Sequence, residues 1–136
     1  MEYSTPFGPI TLTCNESEQS EIIRWLEDYF AGLLPTWRPA YVLQGSDFQK
    51  KVWHILEQVP YGKTTTYGSI ARKISPTLSP QAVGQAVHRN PLPILIPCHR
   101  VIASNGCLTG YAYGIKMKGE LLDFEKMQLQ EIDNQG

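Results

Sequence analysis

The run Pro97-Cys98-His99-Arg100-Val101-Ile102 sets a thiol beside an imidazole and a guanidinium, a combination able to make a sulfur nucleophile. A cysteine attacks as thiolate, and a free thiol with a pKa of ~8.5 needs a nearby base, cation or helix N-terminus to form one at neutral pH. His99 and Arg100 adjoin it. Neighbouring side chains of an extended chain point to opposite sides, so a Cys98–His99 relay requires a bridging water or a turn. An acidic group should orient the imidazole. Glu57 is the only carboxylate between residues 48 and 118, the C-terminal segment adds Glu120, Asp123, Glu125 and Glu131, and spacing does not choose among them. The competing reading of Cys98 is a small buried hydrophobe after Ile96, where free cysteines usually sit, and spacing alone favours it.

Capping and periodicity outline the elements that would position this segment. Ile10 to Cys14 alternates apolar and polar residues and predicts a strand without an obvious partner. Ser20 precedes an apolar stripe of Ile22, Ile23, Leu26, Tyr29 and Phe30 that stops at Gly32, the pattern of an amphipathic helix. Pro35 to Gly45 reads as a connecting loop. Ser46 with Gln49 three residues on forms a capping box for a helix carrying Phe48, Val52, Ile55, Leu56 and Val59, ended by Pro60.

Thr64 to Thr66 can cap a short helix with Tyr67, Ile70, Ala71 and Ile74. Ser79 with Pro80 at the first helical position starts another, in which Ala82, Gly84 and Ala86 permit close approach. The pair has helix-turn-helix proportions, which by themselves are common in proteins that never touch DNA. Pro91 to Pro97 is apolar, proline-bounded and expected to be a buried extended piece ending at Cys98. Asn105-Gly106 and Thr109-Gly110-Tyr111 mark turns, Ile115 to Gln130 reads as a closing helix, and the polar tail is expected to fray.

With 136 residues, 42% of them hydrophobic, the chain suits one main domain. Three cysteines and no apolar secretory stretch behind Met1 fit free thiols in a reducing cytoplasm, and no apolar run approaches the ~20 residues of a membrane helix. The net charge of -1 hides an uneven distribution: residues 1–47 hold two basic groups against seven acidic ones, whereas residues 48–118 hold nine basic groups against Glu57 alone. The second stretch could neutralise phosphates, and charge alone leaves open a merely solvated surface.

Pro97-Cys98-His99-Arg100-Val101-Ile102, between Arg89-Asn90-Pro91 and Thr109-Gly110-Tyr111, resembles the O6-alkylguanine-DNA alkyltransferase family. The resemblance runs from about Gly45 to Glu125 through Phe48, Val52-Trp53, Val59-Pro60-Tyr61-Gly62, Thr66-Tyr67, Ile70-Ala71, Ala82-Val83-Gly84 and Leu121-Leu122. It implies a mainly α fold, a helical domain with a helix-turn-helix over residues 46–136, preceded by a truncated α/β segment over residues 1–45. The implied activity is a single-turnover repair in which the cysteine takes an alkyl group from O6-alkylguanine in double-stranded DNA. On that pattern Cys98 is the acceptor, His99 the water-linked base, Glu125 its orienting carboxylate, Asn90 the brace of the active-site turn and Tyr67 the hydroxyl donor to the leaving guanine. Val101, Tyr111, Ala112 and Tyr113 fall on the base pocket, and Thr66, Lys73, Gln81, Ala82 and Arg89 on the DNA-binding surface.

The reacting atom lies inside a duplex, so the nucleotide must be flipped out, at a cost of a few kcal/mol. Two substitutions bear on that step. Gln81 stands where the family usually has an arginine that fills the gap left by the flipped base, which predicts weaker extrusion or weaker DNA affinity, with His88 and Arg89 available to compensate. Tyr113 stands where several members have a small residue at the pocket edge, which predicts exclusion of bulky adducts. The region before Gly45 is also short: Ile10 to Cys14 resembles the first strand and Glu21 to Gly32 the last helix of a usually longer sheet-containing domain.

Cys14 and Cys107 lack a histidine at ligand spacing, so no metal is expected, nor any cofactor, and a monomer is expected. Two other classes compete. A lesion-binding protein of the alkyltransferase-like type flips the base without transfer, but such proteins typically replace the cysteine. A cysteine hydrolase would require an acyl site and an oxyanion hole that nothing in the sequence identifies.

Overall fold

A computed structural model describes residues 1–108 and 110–135; Thr109, read above as part of a turn, and Gly136 lie outside the described residues. Strand β1 (Glu2–Thr5) pairs antiparallel with β2 (Gly8–Thr11), with Tyr3 opposite Ile10. The expected first strand thus begins and ends earlier than Ile10–Cys14, and it has a partner. The sequence Glu2-Tyr3-Ser4-Thr5 hides that partner because Tyr3 is its only apolar residue, too little to show an alternation. Helix α1 (Glu16–Phe30) also starts earlier than its apolar stripe. Asn15 is its N-cap, and the Asn15 N–H donates to Glu18 Oε1 at 2.9 Å. The polar first turn carries no hydrophobic signal, so the capping pair decides the start.

The connecting loop is tied back to α1: Trp25 Nε1 donates to the Trp37 carbonyl (3.0 Å) and Trp37 Nε1 to Asp28 Oδ2 (3.2 Å). Helix α2 (Asp47–Glu57) begins at Ser46, whose side chain accepts from Gln49 N. A short strand β3 (Thr65–Thr66) precedes α3 (Tyr67–Ile74), which Thr66 caps, and Ser79 caps α4 (Pro80–His88). Buried Trp53 locks α2 to α4 by donating Nε1 to the Ala86 carbonyl at 2.9 Å. Gly84 of α4 faces the Tyr67 ring of α3, where a β-carbon would stand at 3.9 Å, an ordinary van der Waals contact.

Pro91 to Pro97 is buried as expected but is not extended. It folds as a turn in which Ile96 N donates to the Leu92 carbonyl (2.9 Å) and Pro93 bridges Ile96. Prolines exclude a helix here but not a turn, and the Asn90 amide closes one: Oδ1 accepts from Leu92 N (2.9 Å) and Nδ2 donates to the Ile96 carbonyl (2.6 Å). Ile94 at its apex takes φ 75°, a region costly for a β-branched residue.

After a 3-10 turn (Cys98–Arg100), β4 (Val101–Ile102) runs parallel to β3, Thr65 opposite Val101, and α5 (Ile115–Gln135) closes the chain beyond the expected Gln130. One hydrophobic cluster joins Ile10, Trp25 and Tyr29 to Trp53, Val83, Leu95, Val101 and Leu121, so the amino-terminal segment shares the core of the rest. No described helix is long and apolar enough to cross a membrane.

Candidate active site

The turn at Cys98 resolves the geometry that an extended chain would have forbidden. In a 3-10 turn successive side chains leave the axis about 120° apart, so Cys98, His99 and Arg100 face three directions. All three are buried. His99 Nε2 lies 2.6 Å from Glu125 Oε2. Arg100 grips the same carboxylate in a fork, Nε to Oε1 and Nη2 to Oε2, both 2.9 Å, and donates Nη1 to the Val59 carbonyl at 2.8 Å. Tyr29 donates its hydroxyl to Glu125 Oε2 (2.7 Å), and Gly62 its backbone N–H to Oε1 (2.9 Å).

This arrangement sets the charge state of every member. Burial would raise the Glu125 pKa, but hydrogen bonds and charge from His99 and Arg100 outweigh it and hold the carboxyl well below the usual carboxylate range. Burial lowers the His99 pKa, only partly opposed by Glu125, so the imidazole is neutral at neutral pH. An ionised carboxylate accepts only, which places the imidazole proton on Nε2 and leaves Nδ1 with its lone pair. Nδ1 is buried and has no partner among the described residues.

Burial pushes the Cys98 thiol up to about 11, against the pull of the Asn90 amide and the Lys118 ammonium. Lys118 is fully buried on α5 and lies 5.9 Å from the centre of the Tyr67 ring. Its pKa is lowered by burial and supported by Cys98. The resting centre therefore holds a thiol, a neutral histidine and a fixed carboxylate.

Two spaces lie at the site, and the thiol lines the smaller. A cavity of about 30 Å³ is lined by Cys98, Asn90, Pro93, Tyr111, Ala112 and Tyr113, among others. An open groove of about 780 Å³ runs along α4 past Tyr67, Gln81, Gln85, His88 and Arg89, and Gly110 borders both spaces. Gly110 sits at φ 65°, where a β-carbon would also stand 3.2 Å from the Tyr67 hydroxyl, so only glycine fits easily. The cavity wall is tied to the amino-terminal hairpin: the Tyr113 hydroxyl accepts from Thr11 N (3.2 Å) and donates to Thr11 O (3.4 Å), and Thr13 N donates to the Pro91 carbonyl (2.9 Å).

The structure brings Cys98, Asn90, Tyr111, Ala112 and Tyr113 to the cavity, and Tyr67, Gln81 and Arg89 to the groove. His99 and Glu125 meet each other outside both spaces. Among the carboxylates that spacing left open, Glu57 instead accepts from Tyr41 and Arg38. Val101, Thr66, Lys73 and Ala82 line neither space: Val101 is buried in β4, Thr66 caps α3, Lys73 is exposed in the last turn of α3, and Ala82 lines a pocket that adjoins the groove at Gln85 and Arg89. The described residues contain no cluster able to hold a metal ion. Cys14 is half-buried and Cys107 exposed.

Sequence reading missed Gln85, Arg100, Lys118, Gly62 and Tyr29. Gln85 was findable, four residues after Gln81 on the same helical face. Arg100 was visible as a cation beside His99, but not as the Glu125 partner. For Tyr29 and Lys118 no local signal exists.

Residues 47–127 match the family model for the DNA-binding domain of 6-O-methylguanine DNA methyltransferase. A methylated-DNA--protein-cysteine methyltransferase of Methanosarcina acetivorans is 49% identical over 111 residues, covering 82% of this chain and 71% of that protein. The constitutive enzyme of that name from Bacillus subtilis is 42% identical over 113 residues, covering 82% and 68%. Among solved structures, Mycobacterium tuberculosis OGT in complex with DNA superposes with a TM-score of 0.83 at 37% identity, covering 93% of this chain and 92% of that one. S. pombe Atl1, bound to damaged DNA containing O6-carboxymethylguanine, superposes at 0.52 and 33% identity over 62% of this chain and 80% of that one. With the family match spanning more than half of the chain, and Cys98 followed by a histidine that pairs with Glu125, the chain belongs to the 6-O-methylguanine DNA methyltransferase family.

Proposed function

We infer that this protein removes an alkyl group from O6 of guanine in double-stranded DNA and keeps it on Cys98, each molecule acting once. The observation that carries the reading is a buried thiol at a methyl-sized cavity, backed by the His99–Glu125 pair and opening beside the α3–α4 groove. A thiol pushed up to about 11 is almost entirely protonated at neutral pH, so attack requires a base that acts in step with it. His99 Nδ1 fits that role, reached from Sγ through one water. The proton passes to Nδ1, the Sγ–C bond forms as the C–O6 bond breaks, and the guanine leaves with its charge met by the Tyr67 hydroxyl. Glu125 stays ionised throughout and stabilises the imidazolium.

Asn90 braces the turn that presents the thiol, and the Val101 carbonyl and the loop of Tyr111 and Ala112 hold the extruded base. The groove receives the DNA through Gln81 and Arg89, with Thr66, Lys73 and Ala82 on the same helical pair contributing contacts to the backbone. Residues 1–45 act as an amino-terminal segment and residues 46–136 as the DNA-binding and acceptor domain. Free thiols at Cys14, Cys98 and Cys107 suit a reducing cytoplasm.

Intact-mass spectrometry after mixing with O6-methylguanine DNA tests the reading. A stoichiometric gain of one methyl group, absent in Cys98→Ser, supports transfer. Tight binding with unchanged mass instead supports a lesion sensor, the alternative that the likeness to S. pombe Atl1 keeps in view.

A further inference from the structure

Tyr29 lies in helix α1, 96 residues before Glu125, yet its hydroxyl shares one carboxylate oxygen with His99. Glu125 Oε2 accepts from Tyr29 (2.7 Å), His99 Nε2 (2.6 Å) and Arg100 Nη2 (2.9 Å), while Oε1 accepts from Arg100 Nε and Gly62 N. A carboxylate offers about four lone-pair sites, so these donors compete. The Tyr29 ring is held by stacking on Trp25 (centroids 5.7 Å) and by edge contacts with Phe30 (4.9 Å) and Tyr61 (5.8 Å), which leaves the hydroxyl little freedom to turn away. A core tyrosine would ordinarily satisfy its hydroxyl on a nearby backbone carbonyl; this one goes to the carboxylate of the relay.

We propose that Tyr29 is a positioning residue of the alkyl-transfer relay, whose hydroxyl fixes the Glu125 oxygen used by His99 and weakens that oxygen's hold on the imidazole proton. The amino-terminal helix thereby sets the pH range in which Cys98 reacts. The inference rests on the transfer reading above. The charged and titratable groups around the pair are Glu125 and Lys118 from α5, Arg100 and Cys98 from the turn itself, Tyr61 from the loop after α2, and Tyr29 from α1. Burial and the neighbouring Glu125 charge raise the Tyr29 pKa well above its ordinary value, so it remains a donor wherever the protein is folded. Arg100 keeps Glu125 ionised with or without Tyr29.

Without the hydroxyl, the negative charge on Oε2 is less dispersed and stabilises the imidazolium more strongly. His99 must be neutral to accept the Cys98 proton, so a higher His99 pKa moves the acid limb of the transfer rate upward. Tyr29→Phe retains the packed ring. In single-turnover methyl transfer it should raise the midpoint of the acid limb by roughly half a unit to one unit. A fluorinated tyrosine placed at position 29, a stronger donor in the same space, should lower it. The fluorinated protein decides the matter if Tyr29→Phe does not fold.

A purely structural role would lower the melting temperature and leave the acid limb in place. An unmoved limb in both variants, in a protein whose wild type does transfer methyl, overturns the inference. A wild type that transfers nothing overturns the function reading instead, and the His99 ring titration followed by NMR in the same proteins then decides what Tyr29 does.

Discussion

Around Glu125 of α5, donors from α1, the loop after α2 and the 3-10 turn converge on one buried carboxylate, whereas along α4 the groove presents Gln81, Gln85, His88 and Arg89 as exposed side chains. The first region is built by burial: each polar group is costly to leave unpaired, so the whole set must be satisfied together. The second is built by exposure, where one side chain can be exchanged without disturbing the fold. Gln81, where the family resemblance leads one to expect an arginine, lies in the tolerant region.

Damage to the relay should have the largest effect. His99→Gln is expected to slow methyl transfer by about 10²–10⁴-fold while DNA affinity stays near that of the wild type, read by single-turnover transfer and fluorescence anisotropy. Glu125→Gln should slow transfer similarly, and it should also lower stability by about 3–5 kcal/mol in denaturant titration, because Arg100 is left buried without its counter-charge. Equal losses of binding and transfer would erase the distinction between the two regions.

Acid should find the same region first. His99 has a lowered folded pKa, so the unfolded chain takes up a proton that the folded chain refuses as pH falls below about 6.5. Stability should then decline by up to about 1.4 kcal/mol per pH unit, and Glu125, lowered in the fold, adds its loss only once pH falls below about 4.3. Chemical denaturation of the wild type and His99→Gln across pH 7 to 5 measures this; parallel curves would show that His99 is not the group responsible.

The cavity wall should respond less. Tyr113 lines the cavity and ties it to Thr11, so Tyr113→Gly removes both bulk and tether. Relative to methyl transfer, benzyl transfer should rise by about tenfold, the scale of one hydrophobic group admitted or refused. Tyr113→Phe, which loses the tether alone, should leave that ratio unchanged.

The smallest effect belongs to the groove. Gln81→Arg should tighten DNA binding by several-fold at low salt and steepen the salt dependence by about one unit, as one added phosphate contact would. An unchanged affinity would show that Gln81 is not where this chain departs in DNA handling.

Much of the helical frame was legible. Ser46 with Gln49, Thr66, and Ser79 followed by Pro80 are local capping signals, and each cap forms where its residues predict. The turn before Cys98 was not, because apolar and proline-bounded residues serve an extended piece and a tight turn equally, and the Asn90 amide that decides between them acts across six residues. The β1–β2 hairpin escaped for a related reason: its first strand carries no alternation to read.

By itself the sequence determined that Cys98 stands beside a base and a cation, and that capped helices flank it, since both properties depend on neighbours within a few positions. The tertiary structure decided how Glu125, singled out by the family resemblance but not by spacing, meets His99, that the thiol is stored protonated near a buried lysine, and that Tyr29 of the amino-terminal helix reaches the same oxygen. Those outcomes depend on desolvation and on contacts between residues far apart in the chain, and no local pattern encodes either.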